Sequence, residues 1–198
     1  MTSNGSVDDL YRCGVKLFVG PGSTLEAGAC VPVFHRWIQT KVLDGLLIDV
    51  ADYTHLSNGP QVVLVGHEGN LSVDDSGGRV GLVYSQKRPD DRRLADRLVA
   101  IVRTVATAGR LLEKDKGLAR PVTFVGNKLA ITPNDRRLIP ANRDAAELMR
   151  PAVRTLADRL FPDCTSDIFI DAGSGNRLTF TVRYPAAVTV ATLIERAS

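Results

Sequence analysis

KLFVGP at residues 16–21 and KLAITP at residues 128–133 follow one plan: a lysine, an apolar run and a proline that ends it. A second pair follows, LLIDV at 46–50 and IFIDA at 168–172, each an apolar run broken by one aspartate, Asp49 or Asp171. Short apolar runs bounded by Gly, Pro or polar loops read as strands. Between the two strands of each half the spacing turns helical. Val31, Phe34, Trp37, Ile38 and Val42 recur at helical steps in the first half, with Pro32 in the first turn, where no amide donor is needed. In the second half a helix is expected over residues 143–161, with Leu148, Val153, Leu156 and Leu160 inward and Pro151 kinking it or opening a fresh turn.

The remaining segments complete both halves in the same order. QVVLVG (61–66) reads as a strand, and NLSVDDSGGRVGLVYSQ (70–86) as a hairpin turning at Ser76-Gly77-Gly78. A helix capped by Asp90 or Asp91 then keeps Leu94, Leu98, Ile101, Val102, Val105 and Leu112 on one face. PVTFVG (121–126) closes the half as a strand. In the second half DIFID (167–171) and LTFTVRY (178–184) form a hairpin around AGSGN, and VTVATLIERA is a short closing helix. The fold class read from this order is α+β, built as two ferredoxin-like βαββα halves related by internal duplication, with an extra hairpin inserted in the first. Residues 1–14 read as a flexible N-terminus, 15–126 as the first half and 127–198 as the second, the two packed as one unit.

Composition narrows the function classes. With 44% hydrophobic and 24% charged residues the chain of 198 is globular, and its size allows a sizeable core without staples. Three cysteines are an odd number with no CxxC pair, which reads as reduced thiols in a cytoplasmic protein. No run of 18 apolar residues marks a membrane span, and the N-terminus carries acids where a signal peptide carries basic residues. Only six of the 25 basic residues are lysine, the arginine-rich usage of a GC-rich bacterial genome. A net charge of +3 with 6% aromatics argues against nucleic acid. The basic groups Lys87-Arg88 with Arg92-Arg93, and Arg136-Arg137 with Arg143, are interrupted by acids.

Chemistry-bearing side chains concentrate between residues 35 and 68. His35, His55 and His67 all fall there, interleaved with Asp49, Asp52 and Glu68 and with the single tryptophan, Trp37. Imidazole and carboxylate suit a transition metal. A hairpin that pairs Asp49 near Val63, however, sets Asp49 over 10 Å from His67 at strand rise. No bound metal and no cofactor are therefore expected, and no phosphate loop, nucleophile elbow or HExxH motif occurs. Asp49 and Asp171 each need a hydrogen bond or an ion pair if their strands are buried. GHEGN (66–70) is the best local candidate for ligand contact. Its glycines allow close backbone approach, and His67 and Glu68 set an imidazole and a hydrogen-bond acceptor side by side. The expected ligand or partner site is thus His67, Glu68 and Asn70, with His35, Trp37 and Asp49 nearby. The functional reading is a binding or interaction protein, with a homodimer or protein partner on a sheet face or edge and room for a small ligand. The alternative is an enzyme, a metal-assisted hydrolase or acid/base catalyst, using the His, Asp and Glu cluster.

Overall fold

The computed structural model describes residues 6–56, 58–172 and 177–198. Among these, eight strands form a single antiparallel sheet and four α-helices cover it. In chain order they are β1 (Cys13–Val19), α1 (Cys30–Thr40), β2 (Leu47–Asp52), β3 (Pro60–Gly66), β4 (Gly69–Asp74), β5 (Gly81–Gln86) and α2 (Leu94–Glu113). β6 (Phe124–Pro133), α3 (Arg143–Leu160), β7 (Asp167–Asp171), β8 (Thr179–Arg183) and α4 (Val190–Arg196) follow. The sheet order is β2-β3-β4-β5-β1-β6-β8-β7. The two KL phrases therefore lie side by side at the centre, with Leu17 facing Leu129, while the two aspartate-bearing strands are the two edges.

Alternation explains which face is covered. Val15, Leu17, Val62, Leu64, Val73, Leu82, Leu129, Ile131 and Phe180 are buried in one core with the helices. Alternate residues from adjacent strands share a face, so the partners of Lys16 across the sheet, Val83 and Ala130, project from the other side. That side carries no helix among the described residues. Phe18, Val63 and Ala130 lie there, buried by their neighbours yet outside the main core. α1 packs over β2 and β3, and α2 packs over β1 and β5 and against α3 and α4.

The structure departs from several sequence expectations. PVTFVG and KLAIT are one strand, β6, because Gly126-Asn127 is no turn. A Cβ at Gly126 would lie 2.4 Å from the Val188 carbonyl oxygen, so glycine there admits the chain entering α4. Asn127 stays in the ladder, its side-chain amide donating to the carbonyls of Tyr184 and Ala186. Leu148 is exposed; α3 buries Ala145, Ala146, Met149, Val153, Leu156, Ala157 and Leu160 instead. Neither Asp90 nor Asp91 caps α2. The Leu94 amide donates to Asp8 Oδ1 at 2.7 Å, so the chain ahead of β1 supplies the cap. Residues 6–12 are tied down with it, Leu10 being buried. Residues 1–5 and most of the AGSGN turn lie outside the described residues, whereas the β7–β8 ladder is formed as expected. The turn at Ser76–Gly78 also forms, with Gly77 and Gly78 both at positive φ. No described helix is long and apolar enough to cross a membrane. Cys13 and Cys30 are buried, and burial pushes both thiols up to about 12, so they stay protonated at neutral pH; Cys164 is exposed.

Candidate functional site

His67 and Glu68 are the two turn residues between β3 and β4. The flanking glycines serve the turn itself. A Cβ on Gly66 would stand 2.6 Å from the Gly69 carbonyl oxygen, and one on Gly69 would stand 2.6 Å from the Tyr84 ring. The His67 amide donates to the Leu46 carbonyl, and the Glu68 carbonyl accepts from the Lys87 amide, both at 2.8 Å. The turn thus holds the start of β2 and the end of β5. His67 Nε2 and Glu68 Oε1 lie 3.7 Å apart, both well exposed. Burial, and then the Glu68 carboxylate, push the Tyr84 hydroxyl up. A shallow hollow beside the turn is lined by Ile48, His67, Lys87 and Arg88. Asn70 follows on the helix-free face, where its buried Oδ1 accepts no hydrogen bond.

The other candidates are dispersed. Asp49 faces Val65 rather than Val63, two residues closer to His67 than expected, in a regular register that runs on to Asp52 facing Val62. Val65 in turn faces Asn70, so Asp49 and Asn70 stand in one row about 10 Å apart, two strand spacings. Asp49 is exposed, its Oδ1 accepting from the Val50 amide at 2.8 Å. Trp37 is core, its ring 5.2 Å from that of Phe34. His35 is on the solvent side of α1, and His55 is in the β2–β3 loop at the far end of the hairpin from His67. Among the described residues no three His, Cys, Asp or Glu side chains converge as a metal-ligand set. Asp171 ends the edge strand β7 and is exposed. Since both side chains at the turn tip face water, His67→Ala and Glu68→Ala should each shift the melting temperature by only about 1 °C, which a thermal melt reads directly.

Two other surfaces carry more unusual physical chemistry. The first is the β2 edge. Among the described residues, five of the seven exposed large apolar side chains, Val42, Leu46, Ile48, Tyr53 and Leu56, belong to this strand and its flanks. Leu46 is 64% exposed and Ile48 54%. β2 carries no lysine or proline of the kind that blunts an open edge.

The second surface is on the helix-free face around Phe18. Three cations stand over its ring: Arg79 at 4.9 Å from the centroid, Lys128 at 5.0 Å and Lys16 at 5.8 Å. Lys16 is neutralised by Asp74 at 2.7 Å. Arg79, Lys128 and Arg183, the cross-strand neighbour of Lys128, have no carboxylate within ion-pair distance among the described residues. Burial, and then the charges of Arg79 and Arg183, hold the Lys128 ammonium below the ordinary lysine value. Phe18 and Arg79 also border an open cleft of about 440 Å³ with Val19, Ser23, Thr24 and Leu25. In the sequence, Lys16 and Lys128 are 112 positions apart, and only their shared place in the two KL phrases links them. No model of a known protein family matches this chain, and no curated protein matches it.

Proposed function

We propose that this chain is a soluble, cytoplasmic binding and interaction protein rather than a catalyst, and that it works as a two-fold dimer joined through β2. The observation that carries the reading is the cluster of exposed apolar residues on that edge. An antiparallel pairing centred on Val50 sets Asp49 against Ala51 and Ile48 against Asp52 of the other copy, so no acid meets an acid. It also sets Leu47 against Tyr53 and Leu46 against Thr54 of the other copy, with Leu56 diagonal to Leu46, and brings Asp52 towards the hollow of Ile48, His67, Lys87 and Arg88. The interface is self-complementary, as a closed two-fold contact requires. The opposite edge is a poor substitute. Pairing β7 with itself about Phe169 sets Asp167 directly against Asp171, which is destabilising.

An ancient internal duplication with ferredoxin-like halves belongs to the same proposal. Its support is the central pairing of β1 with β6, the edge positions of β2 and β7, and the insertion of β8 between β6 and β7. Sedimentation tests the dimer. The wild type is expected to sediment as a dimer, and Leu46→Lys with Ile48→Lys as a monomer with a dissociation constant raised at least about 100-fold. A wild type that stays monomeric at millimolar concentration, or a double variant that dimerises as tightly, contradicts the reading.

A further inference from the structure

The cations around Phe18 are not accounted for by folding. A cation over an aromatic ring gains modestly, whereas three on one ring repel one another, and among the described residues only Lys16 has an acid within ion-pair distance. Asp167 faces Arg183 in the β7–β8 ladder, and the two form no ion pair. Lys128 is partly buried, and with the exposed Arg79 and Arg183 it makes a positive cluster on a helix-free face, the arrangement that a bound anion completes. It also disfavours covering this face with a second copy, since two such clusters would meet.

The cleft beside the cluster defines the rest of the occupant. Val19 and Leu25 line it with Phe18, Ser23 and Thr24 bring hydroxyls, and Arg79 belongs to both cleft and cluster. A volume of about 440 Å³ is within the usual range for a small organic ligand. Guanidinium with ammonium suits a doubly charged phosphate, the Arg as a fork and the Lys as a point charge. A nucleic acid strand would need a track of cations with successive stacking rings, whereas here three cations share the single ring of Phe18. We infer that the Phe18 cluster with its adjoining cleft is a binding site for a small phosphate monoester carrying an aromatic or apolar body. Arg79 and Lys128 hold the phosphate, Arg183 adds to the field, and the apolar cleft wall takes the body.

Calorimetric titration of the full chain with phenyl phosphate, inorganic phosphate and a mixed-sequence single-stranded oligonucleotide tests this. Phenyl phosphate is expected to bind with a dissociation constant of about 0.1 mM, and inorganic phosphate about tenfold more weakly for want of a ring. Arg79→Gln and Lys128→Met should each weaken phenyl phosphate at least about tenfold. Lys128→Met should also melt about 2 °C higher than wild type, because it removes an unbalanced charge, so a folding defect cannot mimic lost binding. Absence of phenyl phosphate binding, equal affinity in both variants, or tighter binding of the oligonucleotide each overturns the inference. The site is independent of β2, so Leu46→Lys with Ile48→Lys should bind phenyl phosphate as the wild type does, which separates its failure from failure of the dimer.

Discussion

Replacing Arg97 with methionine is expected to lower the melting temperature by about 9 °C, from a loss of about 3 kcal/mol. Arg97 is buried in α2, and its guanidinium reaches out of the helix to fasten the chain ahead of β1. Nη1 donates to the Asp90 carbonyl at 2.8 Å, and Nη2 to the carbonyls of Asp8 and Leu10 at 2.7 and 3.1 Å. The same chain returns the favour at the start of the helix, where Asp8 Oδ1 caps the Leu94 amide. Methionine keeps the apolar stem but leaves three carbonyls without their donor and loosens the cap. The loss stays at a few kcal/mol because Asp8 is exposed and its carbonyl regains water. A melting temperature within about 2 °C of the wild type would show that the fastening contributes little.

Gly69→Val should be comparably severe, lowering the melting temperature by about 10 °C. A Cβ at this position would stand 2.6 Å from both Cζ and Oη of Tyr84 and 2.7 Å from the Ser85 carbonyl oxygen. The ring could turn aside, but Ser85 is backbone of β5, held in the ladder to both β4 and β1. The strain therefore falls on the sheet rather than on a loose side chain. Gly59 provides the control. A Cβ there would meet nothing within 4 Å, so Gly59→Ala should leave the melting temperature within about 1 °C. Equal effects at the two glycines would mean that close packing under the His67-Glu68 turn is not what requires Gly69.

The alternation of apolar residues made most of the strands legible, and helical spacing did the same for α1, α2 and α4. The KL phrases fall on the two adjacent central strands, β1 and β6, and LLIDV and IFIDA on the two edge strands, β2 and β7. Where the reading went astray, a long-range contact decided. Gly126 looks like a turn residue until the chain at Val188 is seen passing over it. The cap of α2 comes from Asp8, 86 positions away, so local spacing could not reveal it. Leu148 is an apolar residue on the solvent side of α3, a placement that its neighbours Met149 and Val153 set by occupying the inward face. The site was less legible than the fold. Proximity in sequence gathered His35, His55 and His67, whereas the structure scatters them over a helix surface, a loop and a turn. The Phe18 cluster is assembled from β1, the β4–β5 turn and β6, and no window of sequence contains it.

The dimer through β2 is the central claim, and concentration-dependent amide hydrogen exchange tests it most directly. β2 and β7 are both edge strands of the same sheet, so each is an internal control for the other. The amides of β2 that point away from β3 should exchange rapidly in dilute protein and become protected, at least about tenfold, as concentration rises through the dimer dissociation constant. The outward amides of β7 should exchange at the same rate throughout. Protection that rises on β7 instead, or on neither edge, would contradict association through β2.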